Sequence, residues 1–296
     1  MRLYAALVVS ISLLVGCLHD PSQIVSNGSW SRFKPKMPDV MPDVVELRYL
    51  FIERELGDKV IDEAVWAEAD EHALPIEKKV MLNKNGLRIA KLGSRLPADL
   101  LKLLDDREGS NDGRRHWTHS GQLVKIQTTP IVPSWTVLTV QGGQATGEDL
   151  SNAQGYLYIT PSHGDGSNVV VKMVPVVEYG SRQQKRMPAP DLSGWQLRHE
   201  RDNKIYNEMA VDLDLMSGEY AILGCVAEQT GTLGHRFFVR TVEEKQFQTV
   251  VLIRVVRPTR EELRQAGYDV DDFFLSDAPK SNGSRPRNTA FTPMAN

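Results

Sequence analysis

The sequence lacks most of the features from which a function can be read directly. It has only two cysteines in 296 residues, so no disulfide framework holds it together and its stability must come from a packed core. Its 35 basic residues do not exceed its 38 acidic ones, which excludes the strongly basic surface of nucleic-acid-binding proteins. No Gly-x-Ser-x-Gly elbow anchors a serine-hydrolase triad, and the glycine pairs lack the strand-to-helix context of phosphate-binding loops. The sequence therefore predicts no cofactor and no nucleic-acid partner.

The first seventeen residues are informative about location. A single cation, Arg2, precedes an apolar stretch from Leu3 to Val15, which is shorter than the about 20 residues of a membrane-spanning helix and predicts an export signal over residues 1–16. Leu14-Val15-Gly16-Cys17 resembles the lipobox of bacterial lipoproteins. The resemblance implies that Cys17 is lipidated and that this lipid attaches the protein to a membrane. Because Leu18 follows Cys17 and no Asp does, it also implies the outer membrane, on its periplasmic side.

Composition divides the next hundred residues into three segments. Residues 17–43 are polar and proline-rich, which predicts a lipid-anchored tether. Residues 44–104 predict a small α/β module: a strand begins at Val44, and three helices in 58–71, 75–86 and 97–104 surround a short strand, Leu87–Leu92. Residues 105–119 begin with a glycine-containing stretch that has no apolar side chain, and they predict a linker loop.

Residues 120–266 are rich in valine, threonine and isoleucine. Eight strands are predicted, at 122–127, 136–141, 155–160, 168–177, 209–215, 220–226, 235–241 and 248–256. Glycine-bearing turns separate most of them, which favours a mainly antiparallel β domain, and Thr259 with Glu262 predicts a capping box that opens a last helix. Residues 267–296 predict a disordered tail. The predicted fold class of the whole chain is α+β.

Several segments of this β domain carry a family resemblance. They are Thr129–Val132, Gln141–Ala145, Val169–Val177, Ser217–Cys225, Leu233–Phe238 and Thr249–Pro258. In this order they resemble the β-domain of bacterial secretins, the outer-membrane gates of type II and type III secretion and of type IV pilus systems. The resemblance implies a related sheet scaffold and a tendency to assemble. The stretch is shorter than a secretin, and the interval 178–205 is charged and proline-rich where secretins have further hairpins, so no channel is implied.

Three sets of residues are candidates for chemistry or binding. His116 and His119 have a spacing that, on a helix, turns two imidazoles toward one metal ion, but the Glu and third ligand of zinc proteases are missing. They are weak metal candidates beside the alternative of a surface loop that anchors Trp117. Cys225 lies in an apolar run, which favours core packing over reactivity. Trp117, Trp135 and Trp195 are candidate stacking surfaces for a ligand, although Trp135 is better placed for the core.

The function predicted from these observations is that of a lipid-anchored cell-envelope protein with a non-enzymatic structural or assembly role, related to secretin-type protein secretion. Its predicted partners are the membrane, reached through the lipid on Cys17, and other envelope proteins or further copies of itself. No catalytic residue is predicted. Two alternatives remain open: a metal-dependent hydrolase using His116 and His119, and a ligand-binding or polysaccharide-binding lipoprotein using the tryptophans.

Overall fold

The structure, a computed structural model, describes residues 43–105, 113–188, 194–265 and 267. The strands in chain order are β1 (Val44–Glu55), β2 (Leu87–Leu92), β3 (Arg114–His119), β4 (Val124–Gln127), β5 (Val132–Gln141), β6 (Gln144–His163), β7 (Val169–Pro188), β8 (Trp195–Ile205), β9 (Val211–Leu215), β10 (Tyr220–Cys225), β11 (Val239–Val242) and β12 (Lys245–Val256). The helices are α1 (Ile76–Lys84), α2 (Ala98–Asp105), α3 (Leu233–Phe238) and α4 (Arg260–Gln265), with a π-helix (Val60–Val65) and two 3₁₀ turns (Glu71–Ala73 and Asn207–Met209). In this part of the chain no helix is long and apolar enough to cross a membrane.

The first sheet has the strand order β2-β10-β12-β1-β3, with β11 added to β12, and all its pairings are antiparallel. It is buried on both faces because strands such as β1 place apolar side chains on each side. Ile52 belongs to the cluster that the π-helix and α2 cover, whereas Leu47 belongs to the larger core shared with the second sheet. The protein therefore has the π-helix and α2 on one side of this sheet and the second sheet, together with α1 and α3, on the other.

The second sheet is built around the antiparallel pair β6–β7. Strands β4 and β5 pair with β6, and β8 and β9 pair with β7. In β9 the apolar residues alternate with Asp212 and Asp214, so that one face is buried and the other meets water. The predicted α+β class is compatible with this architecture, but the protein is predominantly antiparallel β.

The predicted division into an α/β module and a β domain is wrong for the described residues. β1 and β2, from the predicted module, pair with β12 and β10 in one sheet, and all described residues belong to one compact unit. The predicted linker loop 105–119 is also wrong at residues 114–119, because these form β3 and pair with β1. The turn Ser217–Glu219 closes no hairpin between β9 and β10: it carries the chain from the second sheet to the first, since these two strands belong to different sheets.

Two further predictions were wrong, and one local motif was confirmed. Residues 233–238, mostly predicted as strand, form helix α3, because Leu233 and Phe237, four residues apart, are buried on one helical face. Within this helix Gly234 packs directly against the backbone of Gly86. In the interval 178–205, for which no strand was predicted, residues 178–188 belong to β7 and residues 195–205 form β8. The capping box is confirmed: the Thr259 backbone N–H donates to Glu262 Oε2 (2.8 Å), and the Glu262 N–H donates to Thr259 Oγ1 (3.3 Å).

Candidate functional site

The lipidation candidate, Cys17, lies outside the described residues, as do the predicted signal, the tether up to residue 42 and the tail beyond 267. The lipid anchor therefore stays a prediction from sequence.

The two histidines of the metal hypothesis both lie on β3. Side chains three apart on a strand point to opposite faces of the sheet, so the imidazoles of His116 and His119 do not converge. Nδ1 of His119 lies 3.2 Å from the carbonyl oxygen of Asp43, and His116 is exposed. Within the described ranges, no group of three or more His, Cys, Asp or Glu side chains is arranged to hold a metal ion.

The cysteine and tryptophan candidates do not form a common site. Cys225 is buried, and burial raises the pKa of its thiol to about 12, which confirms the prediction of a core residue. Trp135 is also buried and packs against Phe237, with ring centroids 5.7 Å apart. Trp117 is half-buried on the first sheet under Arg115, and Trp195 is exposed on the second sheet. The three tryptophans therefore form no continuous stacking surface.

The second sheet divides at the point where β6 and β7 stop pairing. Their pairing ends at Gln154 and Glu178. Beyond that point, residues 144–153 of β6 pair with β5, and residues 179–188 of β7 pair with β8. Since β6 and β7 are antiparallel, both two-stranded arms leave the sheet in the same direction. We refer to the arm formed by residues 179–188 and 195–204 as the ribbon.

The ribbon is exposed on both faces. None of the side chains described on its two strands is buried, and Trp195 and Leu197 are 65% and 62% exposed. The guanidinium of Arg186 lies 5.8 Å from the ring of Trp195. Among its described residues the ribbon carries six cations (Arg182, Lys185, Arg186, Arg198, Arg201 and Lys204) and two anions (Glu200 and Asp202). It is therefore a basic surface with apolar residues at its tip, on a protein whose net charge is negative.

The outer strand of the ribbon is an open edge, whereas the edges at β5 and β2 are partly covered. On β5, Leu138 N donates to Gly231 O (2.9 Å), and Asn85 both accepts from Val140 N (2.7 Å) and donates to Val140 O (3.0 Å). On β2, the backbones of Lys91 and Asp70 exchange two hydrogen bonds. In the described part of the chain no strand pairs with the outer side of β8. Such an edge offers a row of backbone donors and acceptors to another chain.

A polar cleft of about 490 Å³ lies where the sheet divides. Its lining includes Lys125 of β4, Tyr156 of β6, Glu178 and Arg182 of β7, and Arg201 and Asn203 of β8. Sequence reasoning missed both the ribbon and this cleft. The available signal was the charged alternation of Arg198, Glu200, Asp202 and Lys204, which has the period of a strand with one polar face.

An internal network fixes one side of the cleft. Lys125 Nζ lies 3.0 Å from Glu178 Oε1, and the Tyr158 hydroxyl donates to the same oxygen (3.2 Å). Burial on its own would lower the pKa of Lys125, but its interactions with Tyr158 and Glu178 outweigh burial and raise it. Burial, followed by the charge of Glu178, raises the pKa of Tyr156. Both raised pKa values favour the protonated forms of Lys125 and Tyr156 on this side of the cleft.

The fold is that of a predominantly antiparallel β protein with two packed sheets. No family model and no curated protein matches the sequence. Among solved structures, the neighbours are secretins. The type II secretin GspD of enteropathogenic Escherichia coli is 12% identical with a TM-score of 0.23, and the match covers 86% of this chain and 83% of that chain.

Two further secretin structures match less of their own length. The ETEC pilotin–secretin complex AspS–GspD is 12% identical with a TM-score of 0.24, and the match covers 86% of this chain and 60% of that chain. The type II secretin XcpQ of Pseudomonas aeruginosa is 10% identical with a TM-score of 0.17, and the match covers 77% and 61% of the two chains. At these TM-scores the similarity carries no argument about function.

Proposed function

We propose that this chain is a non-enzymatic, lipid-anchored protein of the cell envelope that assembles with other envelope proteins or with copies of itself through the ribbon. The observation that carries the proposal is the ribbon itself: a two-stranded arm with no buried side chain among those described, an open edge and an exposed tryptophan. The anchor and its membrane are supported by the lipobox resemblance at Cys17. A connection with secretin-type secretion is supported by the order of the sequence motifs in the β domain.

A partner that covers the ribbon would stabilise it, because two-stranded hairpins on their own are only marginally stable in water. Its composition also constrains the partner. Two basic ribbons repel each other, which disfavours a symmetric contact of β8 with β8. The favoured partner is a surface with acidic side chains that adds a strand to β8 and covers Trp195 and Leu197.

The assembly proposal is tested with the full mature protein by light scattering and chemical cross-linking. We expect oligomers or cross-linked envelope partners for the natural protein, and their loss when Trp195 and Leu197 are both changed to serine. Leu123→Ser is the matched control, because Leu123 is also exposed but lies outside the ribbon. A strictly monomeric natural protein that captures no envelope component would overturn the proposal, as would equal losses in the double variant and the control.

The anchor is tested separately by mass spectrometry of the protein from a membrane fraction. We expect a mature N-terminus at Cys17 that carries diacylglyceryl and acyl groups, and a soluble protein when Cys17 is changed to serine. A membrane-bound Cys17→Ser variant would contradict the lipid anchor while leaving the assembly proposal in place.

A further inference from the structure

The polar cleft at the base of the ribbon is lined by three strands that folding brings together. Residues 152–156 of β6, 178–182 of β7 and 199–203 of β8 contribute to its lining, together with Lys125 and Ile131. Its volume, about 490 Å³, lies within the range of small-ligand sites. Most such sites are largely apolar, but this cleft has amide, hydroxyl and charged groups on every side. A ligand that fits it must therefore be rich in hydrogen-bonding groups.

The charges of the cleft do not cancel. Lys125 and Glu178 neutralise each other at 3.0 Å, and Glu200 has a longer contact with Arg198, at 3.9 Å. Arg201 donates from Nε to the carbonyl oxygen of Gly180 (3.1 Å), and this neutral partner leaves its charge unbalanced. For Arg182, no carboxylate lies within ion-pair distance among the described residues. Two guanidinium groups thus give the cleft an excess of positive charge.

We propose that this cleft binds an acidic saccharide, that is, a hydroxylated sugar ring carrying an anionic group. Arg182 and Arg201 meet the anion, since guanidinium groups form strong charge-assisted hydrogen bonds with carboxylate or phosphate oxygens. The exposed amides of Asn152 and Asn203 offer both donors and acceptors to ring hydroxyls. The Lys125–Glu178 pair closes one side and adds no net charge there. The site is separate from the exposed tip that the assembly proposal uses.

The proposal is tested by saturation-transfer NMR on the full mature protein, a measurement that also works for oligomers. The probes are glucuronic acid, glucose 6-phosphate, glucose and acetate. We expect saturation transfer to glucuronic acid with a dissociation constant near the millimolar range, and a response at least about tenfold weaker for glucose and acetate. A glucose 6-phosphate response equal to that of glucuronic acid shows that the site recognises charge on a sugar ring, and a weaker one shows preference for a carboxylate.

Two variants locate the binding. Arg182→Gln removes one charge from the cleft, and we expect it to weaken glucuronic acid binding about tenfold, the effect of one charge-assisted hydrogen bond. Arg186→Gln is the matched control, because Arg186 is on the same strand as Arg182 but lies beside Trp195 at the tip of the ribbon and not in the lining of the cleft. No transfer to glucuronic acid at about 10 mM, an equal response to acetate, or equal effects of the two variants would overturn the proposal.

Discussion

At the scale of single residues, the structure explains positions whose role the sequence indicated only in part. Asn85-Gly86 was predicted to end a helix, and it does follow α1. The same two residues also bind distant segments: Asn85 holds the edge of β5 at Val140, and Gly86 meets Gly234 of α3. Helix-end signals are local and can be read from sequence. Contacts with residues about fifty or more positions away cannot, because they depend on the tertiary fold.

The contact between Gly234 and Gly86 leads to a stability prediction. A Cβ atom at position 234 would lie 1.9 Å from the Gly86 carbonyl oxygen and 2.7 Å from Leu87 N, and neither backbone group can move without displacing β2. We expect Gly234→Ala to lower the free energy of unfolding by about 3 kcal/mol. Gly93→Ala, where no atom lies within 4 Å of the added Cβ, should change it by less than about 0.5 kcal/mol. Denaturant unfolding of both variants checks this, and equal stabilities would contradict it.

His235 leads to a prediction of pH dependence. Burial, followed by the neighbouring charge of Arg236, lowers the pKa of His235 in the folded protein. The unfolded chain therefore binds the proton more readily, and the stability gained from the neutral imidazole is lost as the pH falls below about 6.5. We expect the free energy of unfolding to decrease between pH 7 and pH 5, and His235→Gln to reduce that slope. His116→Gln, at an exposed position, serves as the control; an unchanged slope in His235→Gln would show that other groups determine it.

At the scale of secondary-structure elements, a strand could be predicted from sequence where one of its faces is buried and the other is exposed. Strand β2 begins and ends where predicted, and β9 lies within the predicted strand 209–215 and has one buried face. The ribbon was missed because both its faces meet water, so its strands lack a row of buried apolar residues, and the period of two is left only in exposed side chains such as those of Arg198, Glu200 and Asp202. The same holds for the candidate site. The core positions of Cys225 and Trp135 were predicted from the apolar residues around them, whereas the cleft was not, because the sequence does not indicate which strands pair.

The exposed ribbon should be the least protected part of the second sheet. In a monomer, we expect the amides of residues 181–186 and 196–202 to exchange hydrogen at least about tenfold faster than those of 156–160 and 170–174, because low local burial allows local opening. Assembly through the ribbon should slow this exchange without changing the sheet centre. Hydrogen-exchange mass spectrometry at low and high protein concentration checks both points. Ribbon amides that are protected in the monomer as strongly as the sheet centre would contradict the prediction.

At the scale of the whole molecule, the predicted α/β module and the predicted β domain share one core. The change in composition at Asp105–Gly113 is real, but it does not mark a domain boundary. β1 pairs with β12 from Glu46–Val256 to Glu55–Phe247, and β2 pairs with β10. Both pairings join residues far apart in sequence, and period-two patterns specify which face of a strand is buried without specifying its neighbour. The order of strands was therefore beyond sequence reasoning, although most of the strands themselves were not.

This shared core predicts how the protein unfolds when it is divided. A fragment of residues 113–267 lacks β1 and β2, so β12 and β10 each lose one of their neighbouring strands. It also lacks the π-helix and α2, which exposes apolar side chains such as Leu252 and Ile222. A fragment of residues 43–105 contains β1 and β2 but lacks β12 and β10, the strands with which they pair. We expect neither fragment to show a cooperative thermal transition by circular dichroism, because each buries too little apolar surface to offset its conformational entropy. An equimolar mixture should recover a transition, since the missing strands are then supplied from the other fragment. The opposite result would be a cooperative transition of residues 113–267 alone, with a midpoint temperature near that of the intact protein. The β domain would then fold independently, and its part of the first sheet would not need β1 and β2 for stability.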